Sequence, residues 1–464
     1  MSSRLTYIDL FAGCGGLSLG LELAGYSRVF ALEKSAQAAA TYYHNLIEPI
    51  TDWSTWYAEQ SNLSVEQQLQ RGLVIADINR VSRRIDKFDI EEVTLIAGGP
   101  PCQGFSRAGQ RNGFDSRNLL AWRFLDIAQK MKPKAIVIEN VEGIISDFKH
   151  SRSPLHKIVQ KMDKLGYSVQ PMLLNAKFYG VPQNRPRTFI VGIRKNLNGM
   201  LATSEKIIDL ERSLIRQENL DNPFLPPPTN VTSDNWVNAE HALRGLGRRQ
   251  FENDYLKTIN CNKQLDNILK TDTSRDVLNH VPRKHKRLTA AKFGFMRVLN
   301  DTKINRLVLY WMATGKQELV ERELSNRDYD ELRELRLASS ELLRKAGLSE
   351  SADGRCSDKN YVLQCIELFA TRKHSQRVIK PKAPSPTVMT IPDDHVHPFR
   401  DRVLTVREQA RLQSFPDRFE FQGRITTGGK ARKIDVPQYT QVGNAVPPLL
   451  AKALATHVST LIGD

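Results

Sequence analysis

Leu5-Thr6-Tyr7-Ile8-Asp9-Leu10-Phe11-Ala12-Gly13-Cys14-Gly15-Gly16-Leu17 is the stretch that decides the fold. An apolar, strand-like run enters a glycine-rich turn, and a helix is expected from about Ser18 to Ala24. Arg28-Val29-Phe30-Ala31-Leu32 reads as the next strand and ends at Glu33. Working outward, further strands are expected at Leu73–Ile75, Val93–Ala97, Ala135–Ile138 and Thr188–Gly192, with helical stretches between them. Strands alternating with helices at this pitch predict an α/β fold with a doubly wound, mostly parallel sheet. Glycines after a first strand let a ligand come close to the backbone. Glu33 ends the second strand at the spacing where a carboxylate can hold ribose hydroxyls. By itself this pattern fits many nucleotide-type cofactors, and equally a purely structural turn.

The 464 residues are long for one core and suit two domains. Hydrophobic residues make up 40% and charged residues 25%, which excludes a disordered composition. No apolar run of membrane-spanning length is evident, and the N-terminus lacks the features of a signal peptide, so a cytoplasmic location is expected. The formal net charge is +16, which fits either a polyanionic partner or a basic, solvated surface. Five scattered cysteines argue against a disulfide framework, and no metal site is expected. A reducing compartment leaves a single reactive thiolate as an option.

From about Leu201 the character of the chain changes, with Pro226-Pro227-Pro228 marking a break. Asn279-His280-Val281-Pro282-Arg283-Lys284-His285-Lys286-Arg287 is a dense basic run, and Thr371-Arg372-Lys373-His374 opens a second. Residues 316–346 read as charged helices whose leucines face an ordinary core. Residues 51–71, with Trp53, Trp56 and Tyr57, read as an insertion.

Three further strand ends carry chemistry. Ala97-Gly98-Gly99-Pro100-Pro101-Cys102-Gln103 presents a thiol behind two prolines at the sheet edge where ligands bind. A lone cysteine is ordinarily a small buried hydrophobe; one wedged behind Pro-Pro at a strand end is poorly explained that way. Ile138-Glu139-Asn140-Val141 places a carboxylic acid where it could donate to a ring nitrogen, or simply stand in an exposed loop. In Gln183-Asn184-Arg185-Pro186-Arg187, alternate residues point the same way, so both guanidiniums could hold substrate oxygens or phosphate, or lie on the surface.

Phe-Ala-Gly-Cys-Gly-Gly, Pro-Pro-Cys-Gln, Glu-Asn-Val and Gln-Asn-Arg-Pro-Arg occur in this order, followed by Gln441-Val442-Gly443-Asn444-Ala445-Val446-Pro447-Pro448. This series resembles the DNA (cytosine-5)-methyltransferases of bacterial restriction-modification systems, across nearly the whole chain except the basic middle. The resemblance implies a Rossmann-like, S-adenosylmethionine-dependent fold with a second, smaller basic recognition domain. By analogy, Cys102 attacks carbon 6 of a cytosine flipped out of duplex DNA, Glu139 supports the addition at ring nitrogen 3, and carbon 5 takes the methyl group. Arg185 and Arg187 match arginines that hold the base. Phe11, Gly13, Gly15, Gly16 and Leu17 match the glycine turn of the cofactor site, and Glu33 matches its ribose ligand. Asp77 and Ile78 match adenine contacts, Pro100 of the Pro-Pro-Cys segment belongs to the same cofactor site, and Leu120 matches a contact near the methionine part. Asn444 and Val446 match the C-terminal helix start beside the first strand. Cys14 is incidental. Ser106–Arg117 resembles a mobile catalytic loop, and Thr405–Pro416 a segment that holds the recognition region together.

The resemblance implies a catalytic domain of residues 1–200 plus 431–464, and a target recognition domain of residues 201–430. It implies a monomer acting on double-stranded DNA in the cleft between them, with or without a cognate restriction endonuclease that acts separately. With no regulatory module expected at either end, a bacterial modification enzyme fits. A transfer-RNA cytosine methyltransferase shares the motifs but usually has a shorter middle. An amino-methyltransferase would lack the Pro-Pro-Cys thiol. A catalytically idle DNA-binding regulator would not need Cys102, Glu139, Arg185 and Arg187 intact.

Overall fold

The computed structural model describes residues 4–101, 119–145, 153–197, 215–216, 225–229, 236–246, 253–271, 277–348, 356–428 and 435–463. They form two compact units. One comprises residues 1–278, 383–390 and 410–464, and the other residues 279–382 and 391–409. Helices Ala239–Leu243 and Asp254–Asn260, within the expected recognition segment, belong to the first unit.

The first unit is built on a twisted sheet. In chain order its elements are β1 (Thr6–Leu10), α1 (Gly16–Leu23), β2 (Ser27–Glu33), α2 (Ala36–Leu46), α3 (Trp53–Asn62), α4 (Val65–Gln70), β3 (Leu73–Ile75), α5 (Ile78–Ser82), β4 (Leu95–Gly98), α6 (Leu119–Met131), β5 (Ala135–Val141), α7 (Pro154–Lys164), β6 (Tyr167–Asn175), β7 (Gln183–Asn184), β8 (Pro186–Arg194) and β9 (Ile215–Arg216). The eight-stranded sheet runs β3-β2-β1-β4-β5-β8-β6-β9. β3 through β5 pair in parallel, and β8 enters antiparallel between β5 and β6. The mostly parallel, doubly wound sheet is as expected. Strand β6, however, gave no sequence signal: Pro171 interrupts its apolar pattern, and a proline weakens a strand reading. Pairing all nine of its residues with β8 overrides that local signal.

Side chains alternate across the sheet with period two. Ile8, Leu10, Ile96, Ile136, Ile138 and Ile190 enter one core, together with Phe124 of α6 and Leu155 of α7. Tyr7, Leu95, Ala97, Val137, Phe189 and Val191 enter the other, against Leu17 of α1 and Leu450 and Leu454 of the last helix, Pro448–Ile462. Both faces are covered, so the strands read as continuous apolar runs. Gln438–Ile462 is also long and apolar enough by composition to cross a membrane. In the fold, Leu450, Ala451, Leu454, Ala455 and Val458 of that stretch are buried in the sheet's core.

The 51–71 segment forms α3 and α4. Trp56 is buried there, with its ring 5.4 Å from Trp53 and 5.6 Å from Tyr43. The second unit is mainly helical. Its core joins Phe295 and Leu299 of helix Arg287–Asp301, Leu324, Leu335 and Leu343 of two charged helices, and Val362 and Ile366 of Asp358–Leu368.

Candidate active site

The carboxyl ends of β1, β2, β3, β4 and β5 open onto one cavity of about 450 Å³. This is the edge of an open α/β sheet where ligands bind. Its lining includes Phe11, Gly13, Gly16, Leu17 and Glu33 from the first two strand ends. Asp77, Ile78, Pro100 and Leu120 come from the middle of the unit. Glu139, Arg185, Arg187, Asn444 and Val446 complete it among the expected residues. Gly15 is not in the lining. Cys102 and the Ser106–Arg117 stretch lie outside the described residues.

The turn after β1 is left-handed at three places: Phe11 (φ 67°), Gly13 (φ 56°) and Gly15 (φ 95°). A non-glycine residue with positive φ carries strain of about 1–2 kcal/mol, and such strain concentrates at functional sites. A Cβ on Gly13 would meet nothing within 4 Å, so the backbone there borders open space. The Gly13 N–H donates to Glu33 Oε2 (2.9 Å), and the Ser35 N–H donates to Oε1 (2.7 Å). Burial pushes the Glu33 carboxyl above the usual carboxylate range, against these amide bonds. Each oxygen retains acceptor capacity, which suits a vicinal diol. Asp77 caps α5 through the Asn79 N–H and pairs with Lys34 Nζ at 2.9 Å; that partner holds its carboxyl below the usual range. With apolar Phe11, Ile78 and Leu120 beside these carboxylates, the lining fits a nucleoside-bearing cofactor such as S-adenosylmethionine.

The opposite part of the cavity is organised by β5 and β8. Glu139 pairs in register with Phe189, which puts Arg187 on its diagonal. Arg187 Nε lies 3.1 Å from Glu139 Oε1, with both side chains largely buried. Burial raises the Glu139 carboxyl, while Arg187 and Arg185 pull it back down. Glu139 Oε2 faces Gly99, where a Cβ would come within 3.0 Å of it. Arg185 is 1% exposed. Its Nη2 donates to the carbonyls of Gly443 and Ala445, each at 3.0 Å, and its Nε and Nη1 have no partner among the described residues. Arg185 therefore both lines the cavity and ties down the Gln-Val-Gly-Asn-Ala-Val turn.

Several glycines also serve packing. A Cβ on Gly15 would strike Leu46 and Tyr42 of α2. One on Gly16 would lie 2.4 Å from the Val446 carbonyl, and one on Gly20 would lie 2.3 Å from Ala451 Cβ. Gly16 and Gly20, one helical turn apart, let α1 press against the last helix. Gly443 likewise admits the backbone of Met389 and Thr390, and Gly98 that of Leu10. The Cys14 thiol is buried, donates to the Gln441 carbonyl (3.6 Å), and is pushed up to about 12, so it stays protonated.

Sequence reasoning missed two features. Asp9 is fully buried in β1; the Ser18 hydroxyl donates to its Oδ2 (2.6 Å) and Tyr42 donates to Ser18 (2.9 Å). Gln183 is also fully buried: its amide donates to the Leu412 carbonyl and to Gln413, and its oxygen accepts from the Val388 N–H. The motif spacing gave Gln183 away as part of a pattern, but nothing in it revealed a clasp.

Comparison with known proteins gives the family and the fold. The family model described as C-5 cytosine-specific DNA methylase matches residues 5–460. The chain is 31% identical to the type II methyltransferase M.DdeI of Desulfomicrobium norvegicum, over 98% of this chain and 88% of that protein. It is 29% identical to M.AgeI of Thalassovita gelatinovora, over 98% and 99%. A crystal structure of a DNA modification methyltransferase encoded within an E. coli prophage superposes with a TM-score of 0.56 at 20% identity, covering 99% of this chain and all of that one. The fold is the Rossmann-like fold of S-adenosylmethionine-dependent methyltransferases, and the chain belongs to the C-5 cytosine-specific DNA methylase family, as a methyltransferase of the type II restriction-modification kind.

Proposed function

We propose that this enzyme methylates carbon 5 of a cytosine flipped out of duplex DNA, through a covalent bond between Cys102 and carbon 6. The observation that carries the reading is the shared cavity: Glu33 and the glycine turn border one part of it, and the Glu139–Arg187 pair borders another. S-adenosylmethionine, when bound, supplies an electrophilic methyl group. Glu33 would accept from its ribose hydroxyls, Ile78 and the Asp77 turn would border its adenine, and Leu120 and Asn444 would flank its amino-acid part.

The chain's own groups then account for the proton and charge movements. The Cys102 thiolate forms the sulfur–carbon 6 bond, and the carbon 5–carbon 6 π pair becomes available at carbon 5. Glu139, with its carboxyl raised by burial, donates its proton toward ring nitrogen 3 and offsets the charge that develops there. Arg187 fixes the Glu139 carboxyl and offers its remaining donors to the exocyclic oxygen on carbon 2. After methylation a base, water in this reading, takes the carbon 5 proton; the carbon 5–carbon 6 double bond re-forms as the thiolate leaves, and ring nitrogen 3 returns its proton to Glu139. The base must leave the stack because its carbon 6 face is covered in the duplex.

Residues 201–430 supply target recognition in this reading, with residues 1–200 and 431–464 doing the chemistry. The enzyme acts as a cytosolic monomer, with or without a cognate endonuclease that acts separately. The test is duplex DNA carrying 5-fluorocytosine at the target, where blocked proton loss traps the adduct. Wild-type protein should become covalently attached and Cys102→Ser should not; an adduct that persists in Cys102→Ser would overturn the assignment. Bisulfite sequencing of plasmid from expressing cells reads out the modification and its sequence context. Methylation of transfer RNA alone would overturn the choice of duplex DNA.

A further inference from the structure

The second unit carries a basic face that the chemistry above does not use. From Asn279 through Asn300 the chain holds Arg283, Lys284, Lys286, Arg287, Lys292 and Arg297 without a single acid. Residues 371–382 are a second acid-free stretch, with Arg372, Lys373 and Arg377 among its bases. The sequence does not say that the two stretches meet. In the fold they do: Asp393 accepts from Arg283 (2.8 Å) through one carboxylate oxygen and from Lys373 (2.7 Å) through the other. Burial lowers the affinity of Lys292 for its proton, and nearby Lys373 lowers it further. Lys284, Lys286 and Arg287, which follow Arg283 in the chain, are exposed.

The local charge pattern runs against the stability of the unit. Helix Arg287–Asp301 begins at Lys286 with no side-chain cap and no acid in its first turn. Cations at a helix N-terminus oppose its dipole. Helix Tyr329–Lys345 of the same unit shows the opposite pattern, with a capping box from Asp328 and Glu331 and basic residues in its last turn. Cations crowded along an uncapped segment, with Asp393 shared between Arg283 and Lys373, are relieved by an extended polyanion.

We propose that Arg283, Lys284, Lys286, Arg287, Lys292 and Lys373 form a phosphate-binding surface for duplex DNA that sets affinity without reading sequence. This rests on the reading of the chain as a DNA-modifying enzyme, and assigns these residues to backbone contact as distinct from base recognition. Each phosphate contact contributes a slope of about −0.9 to the dependence of log affinity on log salt.

The experiment measures binding of the full-length protein to a duplex containing the target sequence and to one lacking it, across a salt series. The triple variant Lys284→Gln, Lys286→Gln, Arg287→Gln should bind both duplexes at least tenfold more weakly and flatten the salt slope by about 2–3. Its kcat at saturating DNA should match the wild type. A control of equal charge, Arg333→Gln, Arg344→Gln, Lys345→Gln, alters exposed residues of helix Tyr329–Lys345 and should change little. A loss confined to the target duplex, an equal loss in the control, or an unchanged slope would each overturn the proposal. A wild-type protein that binds duplexes as described but methylates no cytosine would overturn the activity and leave the surface standing.

Discussion

Arg187 Nε sits 3.1 Å from Glu139 Oε1 across the β5–β8 pair, and the two largely buried side chains set each other's charge. Burial drives the Glu139 carboxyl up, Arg187 drives it down, and the balance remains above the ordinary carboxylate value. A rate that needs protonated Glu139 falls as pH rises through its folded pKa. Removing the cation in Arg187→Leu raises that pKa further, so the falling limb should move to higher pH even as the maximal rate drops. Single-turnover methylation across pH checks this, and a limb that moves to lower pH contradicts it. Glu139→Gln should lower the same rate by about 10²–10⁴-fold, the usual worth of a positioned general acid, with the affinities for DNA and cofactor largely kept.

Gly99 should be sensitive as well, though less so than the acid it faces. A Cβ there comes within 3.0 Å of Glu139 Oε2, and the carboxyl cannot swing aside while Arg187 holds Oε1. Gly99→Ala should cut the single-turnover rate by about tenfold or more, as a small displacement of a catalytic group does, and leave cofactor affinity within about twofold. An unchanged rate would mean that Glu139 is not held where it must act.

Glu33 connects the glycine turn to the start of α2 through two backbone amides. Glu33→Ala removes the proposed ribose acceptor and leaves both amides unpaired. Affinity for S-adenosylmethionine should fall by about 10–100-fold, the worth of one or two charge-assisted bonds, while affinity for DNA stays the same. Calorimetry of cofactor binding, with a separate DNA titration, measures both; equal losses would point to collapse of the fold.

What could be read from the sequence follows from which forces are local. The strand–turn–helix at Leu5–Leu17, the acid ending β2 and the arginine pair at the start of β8 are short-range patterns, and the fold brings them to one cavity. Strand β6 was not legible, because its pairing with β8 outweighs Pro171. The packing glycines were not legible either. Gly16 and Gly20 look like a ligand turn and a helix interior, yet what crowds them lies more than 400 residues away, at Val446 and Ala451. Asp393 joining two distant basic stretches is hidden for the same reason.

Gly20 supplies the matching stability test. Its Cβ would fall 2.3 Å from Ala451 Cβ and 2.6 Å from the Pro448 carbonyl, so α1 and the last helix must separate to admit it. Gly20→Ala would ordinarily strengthen a helix by about 1 kcal/mol. Here overpacking should win, with a net loss of about 2 kcal/mol or more in denaturant unfolding. A variant as stable as the wild type would show that the two helices are not in rigid contact.

Asp9 should impose a pH dependence on folding. Its carboxyl is raised from 3.8 to about 7, chiefly by burial, with the Ser18 bond opposing and the Glu33 charge adding to the rise. The folded protein therefore keeps this proton up to about pH 7, whereas the unfolded chain releases it near pH 4. In that window the folded state binds more protons, so this group's contribution to stability declines as pH rises from about 4 to 7 and is level above. Asp9→Asn removes the titration and keeps an oxygen for the Ser18 hydroxyl. It also buries an amide nitrogen where Asp9 Oδ1 has no partner among the described residues, a cost that does not vary with pH. Relative to the wild type, the variant should gain on the order of 2 kcal/mol between pH 5 and pH 8 in urea unfolding, whatever its offset at pH 5. A difference between the two proteins that stays constant over that range would mean that Asp9 is already ionised in the fold.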